Sequence, residues 1–164
     1  MKLIIKNKFL SLTGKSTIKG EDGKDVYLVK GSFMNPFKTK KILNLNGEIL
    51  YVIKNKFWNW MSHTAYIYNP DGELLGSVKK HKYLKYRTFE TEGFDSSYKI
   101  ERELFSLTSN IIKDDNIVAT ITRPLIAFVD TYELETEDEA NLQMYAALTI
   151  AIDNIGDEIK KERD

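Results

Sequence analysis

The sequence contains no cysteine and only two histidines, His63 and His81, among its 164 residues. Disulfides, thiolate metal sites, iron–sulfur clusters and a cysteine nucleophile are thereby excluded, and a multi-histidine zinc site cannot be assembled. Proline is scarce as well: the three prolines, at 36, 70 and 124, stand where strands would be expected to end. Long apolar runs are missing. The longest, Met144 to Ile152, spans nine residues and is interrupted only by Thr149, whereas a membrane-spanning helix needs about 20. The opening Met1-Lys2-Leu3-Ile4-Ile5-Lys6 lacks the apolar core of roughly 7–15 residues that a secretory signal requires. A cytoplasmic location is expected on these grounds. Net charge is absent too, with 24 basic against 24 acidic side chains and a pI near 6.8, so nothing draws the chain as a whole toward nucleic acid.

The composition is that of one ordinary globular domain covering residues 1–164, with 42% hydrophobic and 29% charged residues. Charge is unevenly placed along it. Residues 1–123 carry 21 basic and 13 acidic groups, and residues 124–164 carry 3 and 11. The two regions either face each other or leave a basic face open to an anionic partner.

Turn signals recur with a nearly constant period. Asp22-Gly23, Asn46-Gly47, Asp71-Gly72 and Glu92-Gly93 place glycines 24, 25 and 21 residues apart, and Asp114-Asp115-Asn116 follows. Such pairs favour tight hairpins because their central positions take positive φ. The flanking segments alternate with period two. Ile49, Tyr51 and Ile53 share one face, Ile117, Ala119 and Ile121 another, and Tyr132 and Leu134 oppose Thr131, Glu133 and Glu135. Five hairpins give about ten strands, and the N-terminal segments add two more.

The C-terminal segment breaks this pattern. Thr136 and Glu139 have capping-box spacing, which predicts a helix over about 138–153, closed by Gly156 and followed by a charged tail over 157–164. From Met144 onward this helix is apolar all round and must be buried on every side. In a β-rich chain of this size, the inside of a closed barrel satisfies that demand. About 14 residues span roughly 21 Å, a plausible barrel height.

The hairpins Asn46-Gly47-Glu48-Ile49-Leu50-Tyr51 and Asn69-Pro70-Asp71-Gly72-Glu73-Leu74-Leu75, with Asp130-Thr131-Tyr132-Glu133-Leu134-Glu135 leading into an apolar helix that ends Ala151-Ile152-Asp153, resemble the Tubby C-terminal-like superfamily. Within it, the chain is similar to the LURP-one-related proteins and their small bacterial members. The resemblance implies a closed antiparallel barrel of about twelve strands around a central hydrophobic C-terminal helix. It also implies a non-enzymatic module, since Tubby-like domains bind phosphoinositide headgroups through basic side chains. No phosphoinositide motif maps residue by residue onto this chain, and the cysteine and proline-rich extension of scramblases are absent.

Candidate sites are of two kinds. Lys79, Lys80, Lys82, Lys85 and Arg87, with Tyr83 and Tyr86 between them, suit either a solvated hairpin that blunts an edge or a cradle for a phosphorylated lipid headgroup or other polyanion. Lys40 and Lys41, in the run Lys38-Thr39-Lys40-Lys41, would extend that cradle across a barrel mouth. Phe57, Trp58 and Trp60 form an aromatic patch that either plugs one barrel end or, if exposed, contacts a protein partner as an adaptor would.

Catalysis has little to build on. Ser62 and His63 are sequence neighbours, and strand neighbours point apart. Glu133, Glu135 and Glu137 read as an exposed acidic strand face, and Asp153 as a buried acceptor at the helix end. No phosphate loop or zinc spacing is present, so no metal, cofactor or enzymatic activity is expected.

Overall fold

The computed structural model describes residues 1–6, 14–31, 37–56, 62–81, 88–102, 107–123 and 131–161. Twelve strands follow in chain order: β1 (Lys2–Lys6), β2 (Lys15–Gly20), β3 (Asp25–Gly31), β4 (Lys40–Leu43), β5 (Ile49–Asn55), β6 (Ser62–Tyr68), β7 (Leu74–His81), β8 (Thr88–Glu92), β9 (Tyr98–Arg102), β10 (Thr108–Lys113), β11 (Asn116–Thr122) and β12 (Thr131–Glu135). Each pairs antiparallel with its sequence neighbours, and β1 pairs with β12, so the sheet closes into a barrel without edges. A short 3-10 turn at Glu139–Asn141 then leads into α1 (Leu142–Lys161).

The expected hairpins all form, and they share one end of the barrel. Gly23, Gly47 and Gly72 adopt φ of 79°, 88° and 87°, each donating its amide back to Gly20, Asn44 and Asn69 in turn. In these three turns the glycine alone takes positive φ. Both central positions do so only in the Asp114–Asp115 turn, at 48° and 65°. Two of the turns repeat a module: Asn44 Oδ1 accepts from the Glu48 amide at 2.9 Å, and Asn69 Oδ1 from the Glu73 amide at 2.8 Å. Register shifts after Ile18, Ile42, Ile67 and Ile111 lie next to these turns and add the bend that closure needs. The shift at Ile111 corrects one expectation. It breaks the alternation of β11, so that Ala119 and Ile121 point inward while Ile117 is 63% exposed.

Inward residues of the wall, among them Leu3, Ile18, Ile42, Ile53, Ile67, Val78, Ile100, Ile111 and Leu134, are fully buried. They surround Tyr145, Ala146, Ala147, Leu148 and Ala151 of α1, which have no exposed surface. The all-round apolar helix therefore occupies the barrel interior, as its composition requires. It sits off-centre, packing most closely on β5 and β6 and also touching β7 and β12.

Both helix ends differ from expectation. Asp138 caps the start, its carboxylate accepting from the Asn141 amide at 3.3 Å, while Thr136 Oγ1 accepts from the Asp138 amide at 3.0 Å and donates to the Val118 carbonyl at 2.6 Å. Gly156 does not end the helix, which continues to Lys161. The positive φ of a glycine terminator is absent there.

Candidate functional site

Strand alternation at the barrel end opposite the hairpins places polar side chains on the inner face. Lys40 precedes inward Ile42 by two residues, and His63 so precedes Ala65. Asn55, Lys80, Arg102 and Arg123 follow inward Ile53, Val78, Ile100 and Ile121 by the same step. The apolar interior of the hairpin end thus gives way to a polar one around the C-terminal half of α1.

On one side of α1 these groups are matched to the helix. Lys40 Nζ lies 2.7 Å from Asp153 Oδ2, and both side chains are buried. The Tyr132 phenol donates to the same carboxylate, and burial followed by the nearby Asp153 charge pushes its pKa far upward. It therefore remains a hydrogen-bond donor at any physiological pH. His63 Nδ1 stands 3.3 Å from Glu158 Oε2. Asn55 Nδ2 donates to the Asn154 carbonyl at 3.3 Å, and Asn154 Nδ2 to the Lys38 carbonyl at 3.1 Å. Four strand side chains, Lys40, Asn55, His63 and Tyr132, thus hold α1 against β4, β5, β6 and β12.

On the other side, the off-centre seat of α1 leaves a partly enclosed cavity of about 120 Å³ against β7 to β12. Lys80, Arg102 and Arg123 line it, with Ser109, Thr149 and Tyr132, and no carboxylate is among its described lining residues. Lys80 Nζ lies 5.1 Å above the Phe89 ring, and the Arg123 guanidinium 6.0 Å from that of Tyr132. These rings help to fix the cations in place. Arg102 is exposed at the rim, whereas Lys80 and Arg123 are half-buried. The rest of the lining is apolar, including Phe89, Ile121 and Ile152.

The residues expected from sequence distribute as follows. Lys80 is in this cavity, but Lys79 faces outward and pairs with Glu92 at 3.4 Å. Lys40 is committed to Asp153, and Lys41 is exposed on the outer face of β4. Lys82, Lys85, Arg87, Phe57, Trp58 and Trp60 lie outside the described residues. Glu133 and Glu135 both pair with Lys2 on the barrel exterior, at 2.7 and 3.1 Å. His63 reaches inward to Glu158, while Ser62 Oγ lies 3.5 Å from Thr64 Oγ1 on the opposite strand face. Among the described residues, no group of three or more potential acidic or histidine metal ligands converges. Arg102, Arg123 and Tyr132 were not expected to contribute. Their inward parity, counted from Ile100, Ile121 and Leu134, is the signal that identifies them.

A closed twelve-stranded antiparallel barrel threaded by an apolar helix defines the Tubby C-terminal-like class of proteins. Within that class, the LURP-one-related family model matches residues 1–153, and the chain belongs to that family. Comparison with curated proteins and with solved structures gave no match. No described helix is long and apolar enough to cross a membrane.

Proposed function

We propose that the protein is a non-enzymatic, cytoplasmic binding module that holds an anionic group, such as a phosphorylated lipid headgroup or another polyanion, at the barrel end where the C-terminal half of α1 lies. The observation that supports this reading is the convergence of Lys80, Arg102 and Arg123 on one cavity. Guanidinium groups bind phosphate and carboxylate through paired, charge-assisted hydrogen bonds, and a partly dry site strengthens them. Lys41, exposed on the outer face, would add long-range attraction to an anionic surface rather than a direct contact, whereas Lys79 is offset by Glu92.

Sedimentation with neutral and anionic liposomes tests the reading. Binding to anionic liposomes alone, released at moderate salt, is the expected result. Reversing Lys80 and Arg102 to glutamate should abolish it without lowering the melting temperature. Equal binding to neutral liposomes, or unchanged binding by the folded double variant, would overturn the proposal.

A further inference from the structure

We propose that Asn46, in the β4–β5 turn, is a site of spontaneous covalent modification. Its side-chain amide is lost to give aspartate and isoaspartate, at a rate set by how firmly Asn44 and Glu48 hold the turn closed. Asn46-Gly47 is the one asparagine–glycine pair in the chain. Both residues are exposed at the tip of the turn. A Cβ on Gly47 would meet nothing within 4 Å, so no neighbour shields the junction. Asparagine in such a place is a thermolabile residue, because the backbone that follows can attack it.

The reaction needs only water. The Gly47 backbone nitrogen, once it has given its proton to solvent, attacks the carbonyl carbon of the Asn46 side chain. The new C–N bond closes a five-membered succinimide, and the amide nitrogen leaves as ammonia. Water then adds to either carbonyl of the ring and opens it. One product is an ordinary aspartate. The other runs the backbone through the former side chain and is one carbon longer. Either adds one negative charge to a chain whose formal net charge is zero.

The turn governs the first step. Gly47 donates its amide to the Asn44 carbonyl at 3.0 Å, which engages the proton that must leave. Glu48 fixes Asn44 in turn: Asn44 Oδ1 accepts from the Glu48 amide at 2.9 Å, and its Nδ2 donates to Glu48 Oε2 at 2.5 Å. The molecule also holds a reference for the first product. In the turn from Asn69 to Glu73, Asp71 stands where Asn46 stands, and Gly72 takes φ of 87° against 88° for Gly47. Gly72 likewise donates to the Asn69 carbonyl, at 3.1 Å. Aspartate therefore fits this turn. Isoaspartate does not, since its extra carbon lies between the Asn44 carbonyl and the Gly47 amide and lengthens a loop closed by the Leu43–Ile49 pair.

Ageing the full chain in warm, mildly alkaline buffer, followed by peptide mass mapping, tests the proposal. The peptide carrying position 46 should be the first to gain the mass difference between amide and acid, and should split into two chromatographic isomers. The turn must open to react, so the urea-unfolded chain should age about tenfold to a hundredfold faster. Asn44→Ala should raise the rate in the folded protein several-fold. Glu48→Ala, which spares the bond to its backbone amide, should raise it by less. Asn46→Asp should melt with the parent, whereas the isolated isoaspartyl form should melt lower. A first gain at another asparagine, or a folded chain that ages more slowly than that range allows, would overturn the site. Equal rates in the folded and unfolded chains, or a folded Asn44→Ala protein that ages at the parent rate, would overturn the control by the turn.

Discussion

Lys40 and Asp153, 113 positions apart in sequence, form an ion pair of 2.7 Å with each side chain only 7% exposed. Desolvation makes such a pair a weak source of net stability, but an orphaned partner is costly. Lys40→Met or Asp153→Leu alone should therefore destabilise the fold by about 3–5 kcal/mol. The double variant should lose much less than the sum of the two. Urea denaturation of the four proteins in a double-mutant cycle measures the coupling. Simple additivity would show that the pair does not hold the helix to β4.

Leu148 has no exposed surface and lies midway along the buried stretch of α1. Leu148→Asp would place a charge among apolar side chains, at a cost of several kcal/mol. Total stability for a domain is only about 5–15 kcal/mol. Loss of the cooperative thermal transition, followed by circular dichroism, is the expected result. A stable, folded variant would move α1 to the outside of the barrel.

The hairpins and the buried helix were legible because each follows from a local demand. Gly47 and Gly72 supply positive φ where a side chain would strain the backbone, and Tyr145 to Ala151 leave the helix no polar face. The cavity was legible only in part. A basic run groups Lys79 with Lys80, but alternation sends one outward to Glu92 and the other inward over Phe89. Arg102 and Arg123 lie two strands apart in the wall, and only its curvature turns the ends of β7, β9 and β11 toward one cavity. The off-centre seat of α1 depends on pairs such as His63–Glu158, 95 residues apart, which no local pattern encodes.

Asp138 gives the helix start a pH dependence of definite sign. Its carboxylate accepts from the Tyr145 hydroxyl at 2.7 Å and from Asn141 Nδ2 at 2.8 Å. These bonds, the Tyr145 bond foremost, hold its pKa below the ordinary carboxylate value. A depressed folded pKa means stabilisation that is complete above the unfolded value of about 3.9 and lost as pH falls through the lower, folded one. Melting temperatures should therefore fall between about pH 5 and about pH 2 by less in Asp138→Asn than in the parent. At neutral pH the variant should be the less stable of the two. Parallel melting curves for parent and variant across that range would refute the assignment.

Gly156 lies inside α1, at a position where glycine costs a helix about 1 kcal/mol relative to alanine. Its φ is not positive, and a Cβ there would meet nothing within 4 Å, so neither strain nor crowding explains the residue. Gly156→Ala should raise stability by about 1 kcal/mol, or roughly 2–4 °C in melting temperature. Gly76→Ala is the opposing case, because its Cβ would come within 2.5 Å of the Phe94 ring and force that ring from its place. Calorimetric melts of both variants therefore separate a glycine that makes room for a ring of the protein from one that leaves room beside the cationic wall. Stabilisation by Gly156→Ala would show that the fold does not need the glycine.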